Sequence, residues 1–332
     1  MKNPRTVGPL VSVIILNWND GERIGLCLTH VFDQTYRPIE VIVVDNGSQD
    51  GSYECIGSEW GGQISLIHNE ENRGYTGGMN QGIAAAQGEI LLLLNSDVFL
   101  SETYVERAVQ ALERHVESQV GIVGGKLFFF RENRKTTLVN NPGLFLGRRM
   151  NVKNSRNIDQ EEFVFGASGS CPVIRREVLD SIRLTDGQWF DESYFSQGED
   201  IDLWFRAHLR GWKVMFVPSA VGWHVHAASY GGKVRFYERS DVFQVHAMKN
   251  RYMTILKNYP ALLLVSMFPE LVLSEVLIVI YLLLKSPRSL RNLLKAQSYI
   301  LKNWSRIGKK RKEIQSTRKV SVNYLLSLYR GL

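Results

Sequence analysis

The sequence predicts an α/β protein with a mostly parallel central sheet, extended at its C-terminal end by a basic helical region. Three observations predict it. Runs that are apolar throughout (VSVIIL, EVIVV, ILLLL) alternate with helical stretches over residues 11–115, the pattern of parallel strands covered on both faces. Polar residues carrying carboxylates or amides follow directly on those runs, and in such sheets ligands gather at the carboxyl ends of the strands. Beyond residue 260 the pattern gives way to long apolar and basic segments.

Taken in order, residues 11–16 read as a buried strand ending at Asn17-Trp18-Asn19-Asp20, followed by a helix over 24–32. A second strand at 40–44 ends at Asp45-Asn46-Gly47-Ser48, and a third, short one is expected at 64–67. A helix over 78–86 precedes a strand at 90–94, which ends at Asn95-Ser96-Asp97, and a helix over 102–115. Residues 120–165 read as less regular, with Gly-, Asn- and Arg-rich loops. Order resumes at 165–179 with a loop, a strand and a helix start. An acidic cluster, a helix and a strand follow over 190–218, and then SAVGWHVHAAS at 219–229. The expected organisation is a catalytic domain over 1–235 and a helical, basic, membrane-associating region over 236–332.

The 332 residues, 44% hydrophobic and 22% charged, suit a folded chain with a sizeable core. The net charge of +7 is uneven: residues 285–319 hold twelve Lys or Arg against Glu313, a segment of +11 on a body of −4. Such asymmetry points to a polyanionic partner, anionic lipid or nucleic acid. Three widely spaced cysteines, Cys27, Cys55 and Cys171, fit neither a disulfide framework nor a zinc site and suit a reducing cytosol. MKNPRTVGPL lacks an apolar core of signal-peptide length, so the start of the chain is expected in the cytoplasm.

Residues 261–284 (ALLLVSMFPELVLSEVLIVIYLLL) are long enough to cross a bilayer. Pro269, Glu270 and Glu275 favour instead a pair of short helices lying in the membrane surface. Downstream, Leu290, Leu293, Leu294, Ile300, Leu301, Trp304 and Ile307 form one helical stripe opposite Arg291, Lys295, Lys302 and Arg306, with Lys309-Lys310-Arg311-Lys312 following. This is the pattern of an interfacial basic helix; the plainer reading is a core-packing helix with a solvated basic face.

Several residues carry chemistry. Asp45 at a strand end suits the ring N–H of uracil or thymine, and equally a turn. The glycines of NRGYTGGMN allow close backbone approach to phosphate, or only a turn, and no Walker loop is formed. Asp97 after four leucines suits a divalent cation bridging two phosphates, manganese or magnesium, or else the cap of the helix at 102. In Glu199-Asp200-Ile201-Asp202 the carboxylates suit a helix N-terminus. Their mutual repulsion raises the pKa of one, as a general base needs. His224 and His226 alternate along a strand; one of them suits a metal, and His226 reads better as a packed side chain.

The ordered set VSVIILNWN, VIVVDNGSQDGS, NRGYTGGMNQG, LLLLNSDV, FGASGSCPVIRREV, FDESYFSQGEDIDLWFRAHLRGW and WHVHAAS, over residues 11–230, resembles the inverting family 2 glycosyltransferases, and most of all their rhamnosyltransferase-like branch. The resemblance implies a GT-A fold, Asn17 and Asp45 at base and ribose with Asn19 nearby, and Asn46, Asn72, Gly74, Asn80, Asn95 and Ser96 around the donor. It implies Asp97 and His224 at the metal and Asp200 as catalytic base, with Glu199 second. It also implies dTDP-rhamnose or a UDP-sugar as donor and a polyprenyl-diphosphate glycan or another glycan as acceptor. A peripheral, cytoplasmic-face location and a homodimer complete the expectation. Asn95 stands where many relatives carry the first Asp of Asp-x-Asp, and Gln-x-x-Arg-Trp of processive synthases is absent, so one sugar per encounter is expected.

Rival readings fare worse. A nucleotidyltransferase would carry Gly-x-Gly-x-Arg, and a dehydrogenase GxGxxG, where NWNDGERIG follows the first strand. No RRM, helix-turn-helix or zinc-finger signature supports nucleic-acid binding. A catalytically inactive scaffold, or a lipid-binding protein acting through the basic tail, is the remaining alternative.

Overall fold

A computed structural model describes residues 8–225 and 234–329. His226, and with it the end of WHVHAAS, lies outside the described residues. The chain begins β1 (Val11–Asn17), α1 (Gly21–Phe32), β2 (Ile39–Asp45), α2 (Ser52–Trp60), β3 (Ser65–His68), α3 (Gly74–Ala85), β4 (Ile90–Asn95), β5 (Val98–Leu100) and α4 (Tyr104–Arg114). It continues β6 (Val120–Arg131), β7 (Arg134–Asn141), β8 (Leu144–Leu146), β9 (Val152–Asn154), β10 (Glu162–Val164), β11 (Val173–Arg175), α5 (Arg176–Ile182), α6 (Glu199–Leu209) and β12 (Lys213–His224). The remainder is helical: α7 (Asp241–Asn258), α8 (Ala261–Lys285), α9 (Leu290–Lys302), α10 (Trp304–Ser316) and α11 (Val322–Ser327).

The chain divides into two compact units, each described by itself. The first takes Met1–Leu144, Asn154–Ser181 and Trp212–Ala228. Its sheet runs β10-β12-β6-β11-β4-β1-β2-β3, with β5 on β12 and β7 on β6. β1 is parallel to β2 and β4, β2 to β3, and β12 to β6; β11 is inserted antiparallel between β4 and β6. This is the mixed, mostly parallel GT-A-like sheet expected. On one face Val13, Ile15, Val43 and Leu92 pack with Ile24, Leu28, Val105 and Ala108 from α1 and α4. On the other, α3 lies so close to β1 that a Cβ on Gly82 would stand 2.3 Å from Ile14 Cγ2. Burial on both faces is why the strands read as unbroken apolar runs.

The stretch expected to be irregular is instead largely sheet. β6 is twelve residues long and turns into β7 through Glu132 and Asn133, both at positive φ (49° and 56°), the backbone of a two-residue hairpin. Gly124 and Gly125 disguise the strand. A Cβ on Gly125 would meet Ala220 O at 2.3 Å and one on Gly124 would meet Ala167 Cβ at 2.6 Å, so these glycines mark close approach, not a loop.

The second unit takes Phe145–Lys153, Ile182–Gly211 and Ser229–Leu332. The units therefore interleave along the chain, and α6 falls in the same unit as the C-terminal helices. Two helical expectations are corrected. Residues 261–285 form one helix across Pro269, not a pair. Proline inside a helix costs about 3 kcal/mol. Here Leu263, Met267, Leu271 and Leu282 are buried along one side, and both acidic residues are neutralised. Arg148 Nη1 donates to Glu270 at 2.6 Å, and Glu275 receives Arg251 and the Tyr252 hydroxyl. The segment expected as one basic helix breaks at Asn303 into α9 and α10, and its stripe divides. Leu293, Ile300 and Ile307 are buried while Leu294, Leu301 and Trp304 are 64%, 75% and 59% exposed.

Candidate active site

Parallel register sets three polar strand ends side by side in the first unit. Asn17 pairs with Asp45 across β1 and β2, and Leu16 with Asn95 across β1 and β4. Asn17 and Asp45 are fully buried. Asn17 Nδ2 donates to Asp45 Oδ1 (2.9 Å), Ser48 Oγ (3.2 Å) and Ser52 Oγ (2.9 Å). Asp45 Oδ2 accepts from Ser48 N at 3.1 Å and lies 3.2 Å from His68 Nδ1, whose ring tilts against Tyr53 at 4.1 Å. His68 is a member of this cluster that sequence reasoning passed over; its only signal was its place at the end of the third strand. Asn19, at φ 49°, accepts Gln49 N through Oδ1 at 2.7 Å and ties the β1 loop to the β2 loop.

The second group sits where α3 begins. Asn46 Nδ2 donates to Asn72 Oδ1 and Gly74 O, both at 3.0 Å, and Asn46 Oδ1 accepts from Asn69 Nδ2 and Arg73 N, both at 3.1 Å. Asn72 Oδ1 also takes Gly74 N at 2.7 Å. Gly74 stands at φ 71°, open to glycine at no steric cost. Asn46, Asn72 and Gly74 thus form one braced turn, with Asn80 buried on the helix that follows.

The third group follows β4. Asn95 N donates to Ser170 O at 2.9 Å, and Ser96 Oγ donates to Asp20 Oδ2 at 2.6 Å. Asp20 is largely buried beside Asp97. Burial first, offset in part by Ser96 and Arg23, raises its pKa, and the Asp97 charge adds to the rise. The helix-cap alternative for Asp97 does not hold: α4 starts at Tyr104 after Thr103, and β5 intervenes. Instead β12 lies antiparallel to β5 and brings His224 opposite Val98. Asp97 Oδ1 and His224 Nε2 are 3.2 Å apart, with side chains 12% and 9% exposed. A carboxylate oxygen and an imidazole nitrogen side by side suit manganese better than magnesium, which prefers oxygen ligands alone. Among the described residues no group of three or more His, Cys, Asp or Glu is arranged to hold a metal. Asp97 and His224 are the two residues that would hold a divalent ion there.

The acidic cluster lies in the second unit. Glu199, Asp200 and Asp202 occupy the first turn of α6, behind Gly198 at φ 80°. They differ sharply. Asp202 is internal: its Oδ2 meets Arg206 Nε at 2.9 Å, and its Oδ1 meets Lys257 Nζ at 3.0 Å and takes Asn258 Nδ2 at 2.8 Å. Lys257, fully buried, also reaches Asp191 Oδ2 at 2.7 Å, and Lys310 reaches Asp191 Oδ1 at 2.9 Å. Burial alone would raise the Asp191 and Asp202 carboxyls; Lys257, with Lys310 and Arg206, holds both below the usual range. Glu199 has the opposite setting. Its Oε2 is shut off from solvent with no hydrogen-bond partner, and burial, then the Asp200 charge, pushes its carboxyl up to about 8. Asp200 Oδ1 accepts the backbone N–H of Ile201 at 2.8 Å. The loop before α6 is bent through Phe195 and Gln197 at φ 62° and 75°. It is held by Asn250, whose Nδ2 reaches Tyr194 O, Ser196 O and Gln197 O at 3.1, 2.7 and 2.6 Å. Lys257 and Asn250 carried no sequence signal; the Asp202–Arg206 spacing, four apart on a helix, did.

A family model described as glycosyl transferase family 2 matches residues 12–183. Among relatives, glycosyltransferase GlyG of Streptococcus pneumoniae is 26% identical over 214 residues, covering 63% of this chain and 68% of its own. Among solved structures, GalNAc-T7 with UDP, GalNAc and Mn2+ superposes with a TM-score of 0.59 at 16% identity, over 75% of this chain and 48% of that one. The Pyrobaculum calidifontis mannosyltransferase PcManGT, with GDP-Man and Mn2+, gives 0.52 at 19% identity, over 99% and 83%.

Proposed function

Because the chain belongs to glycosyl transferase family 2, we propose that this glycosyltransferase moves one sugar per encounter, with inversion, from a nucleoside diphosphate to a hydroxyl of a glycan or lipid-linked glycan. The order and content of its motifs favour dTDP-rhamnose as donor, with a UDP-sugar next. The observation that carries the reading is the pair Asp97–His224, 3.2 Å apart, on the unit whose strand ends gather Asn17, Asp45 and Asn95. A divalent ion held there would supply Lewis-acid neutralisation of the charge on the departing diphosphate. Asp45, braced by Asn17, serves the base and ribose, and the Asn46–Asn72–Gly74 turn serves the sugar diphosphate. Asp200 takes the proton from the acceptor hydroxyl. The freed oxygen bonds to the anomeric carbon from the face opposite the diphosphate, and the bond to the diphosphate breaks.

The same reading places the protein at the cytoplasmic face of a membrane, bound peripherally. Its support is the exposed apolar surface of the second unit. Leu262, Val265, Phe268 and Leu284 on α8 are 72%, 71%, 61% and 75% exposed. By length and composition α8 is also able to cross a bilayer. Leu294, Leu301 and Trp304 stand out among the exposed basic residues Arg291, Lys295 and Lys302, as at an anionic interface.

The test is release of nucleoside diphosphate from a panel of nucleotide sugars with manganese, magnesium or EDTA. Release from one donor, lost in EDTA and in Asp97→Ala, is the expected result. No release from any donor, together with no thermal stabilisation by UDP or dTDP plus metal, overturns the reading.

A further inference from the structure

We infer that Asn250, flanked on α7 by His246 and Lys249, is a positioning residue that sets the turn carrying Glu199 and Asp200 for proton transfer. The inference rests on the reading of Asp200 as the base and adds how that carboxylate is aimed.

The chain enters α6 through backbone that its own residues do not favour. Phe195 stands at φ 62° and ψ −63°, and Ser196 N donates to Tyr194 O at 2.7 Å. This is a γ-turn of the rare, strained hand. Gln197 at φ 75° and Gly198 at φ 80° follow in the left-handed region. Of these three residues only Gly198 escapes the penalty a Cβ brings there. Such strain persists only where the surroundings impose it.

The imposing element is α7. Residues 246, 249 and 250 share one face of that helix and meet the carbonyl oxygens of Ser193, Tyr194, Ser196 and Gln197. Lys249 Nζ donates to Ser193 O. His246 Nδ1 lies 3.0 Å from Tyr194 O, and its ring stacks on Phe195 at 5.3 Å. Asn250 Nδ2 faces three carbonyls, Tyr194 O at 3.1 Å, Ser196 O at 2.7 Å and Gln197 O at 2.6 Å. Asn250 is 1% exposed, and its Oδ1 is buried without a hydrogen-bond partner among the described residues. Leaving an acceptor dry is unfavourable, so the amide is not placed by its own satisfaction. It is turned to give its N–H bonds to the loop, which an isosteric aspartate could not do.

This grip is separate from the one that packs α6. The helix is fixed further along by Asp202 with Arg206, Lys257 and Asn258. Asn250 bears instead on the residues that lead directly into Glu199 and Asp200. A base must stand within hydrogen-bond reach of the proton it takes, and a misplacement of about 1 Å can cost roughly a hundredfold in rate.

The test is a double-mutant cycle on the full-length protein, read as nucleoside diphosphate release from its active sugar nucleotide. Asn250→Ala should lower kcat roughly thirtyfold, with KM for the sugar nucleotide within about twofold because the residues proposed to bind it lie on the first unit. In an Asp200→Asn background the same change should cost less than about twofold, since no base is left to aim. Amide hydrogen exchange over residues 195–202 should speed up while the sheet of the first unit is unchanged. Asn250→Ser, which keeps one N–H or O–H donor in place of two, should fall between and serves in the cycle where the alanine variant does not fold. Equal losses with and without the Asp200 carboxylate would make Asn250 a purely structural residue and overturn the inference, as would unchanged exchange over 195–202. Near-normal turnover in Asp200→Asn alone would overturn the base assignment itself; a large loss there without coupling to Asn250 overturns the positioning role alone.

Discussion

Glu199 and Asp200 are neighbours in sequence whose surroundings differ, and the roles proposed for them make a test. Desolvation and then the Asp200 charge push the Glu199 carboxyl up to about 8, so Glu199 is the member of the pair that keeps its proton at neutral pH. Glu199→Gln then mimics the native state and should retain activity within roughly fivefold, whereas Asp200→Asn should lose on the order of a hundredfold or more in kcat. Loss in the Gln variant with retention in the Asn variant would reverse the roles. The same shift makes a stability prediction. Between the ordinary value of 4.5 and about 8 the folded carboxyl binds its proton while the unfolded one has released it. The folded state is thus the more protonated, and stability falls as pH rises through that window. Melting temperatures across it should decline in the native protein and decline less in Glu199→Gln.

Lys257 belongs to the packing of one element on another. It sits at the end of α7 and neutralises Asp191 before α6 and Asp202 within it. Lys257→Met would leave two buried carboxylates without their shared cation, and the expected cost is about 3–5 kcal/mol in denaturant unfolding. A loss under 1 kcal/mol would mean that Lys310 and Arg206 suffice. The α3–β1 contact offers a test in the first unit. Gly82→Val would drive a branched side chain into Ile14 and Val44, with even its Cβ at 2.3 and 3.3 Å from their Cγ2 atoms. Overpacking of that kind costs about 1–3 kcal/mol.

Across the molecule, charge and apolar exposure coincide. Eight of the twelve basic residues of 285–319 lie on α9 and α10, the helices that expose Leu294, Leu301 and Trp304, although Lys310 pairs with Asp186 and Asp191. In the membrane attachment proposed above, two forces act on vesicle binding and respond differently. Raising salt should weaken attraction to anionic vesicles through screening, while Leu294→Gln/Leu301→Gln/Trp304→Gln should lower binding by roughly tenfold or more at any salt, since it removes apolar burial. A triple variant that still floats with vesicles like the native protein would move the anchor from α9 and α10 to α8.

Sequence alone determined the parts whose signal is local. Strands buried on both faces must be apolar throughout, so β1, β2 and β4 were legible to within a residue or so of their ends, and with them the polar ends that carry Asn17, Asp45, Asn95 and Asp97. The order of those motifs carried the family. Tertiary structure decided what depends on distant partners. β6 hid behind Gly124 and Gly125 because those glycines answer to Ala167, Ala220 and Tyr104, far away in the chain. α8 runs unbroken through Pro269, with Leu263, Met267, Leu271 and Leu282 buried along it and its acids paired with Arg148 and Arg251. Among three carboxylates in one helical turn, only burial and the reach of Lys257 set Asp202 apart as a structural residue from Glu199 and Asp200. A pattern of residue types records which faces are dry; it does not record which charge lies across the dry space.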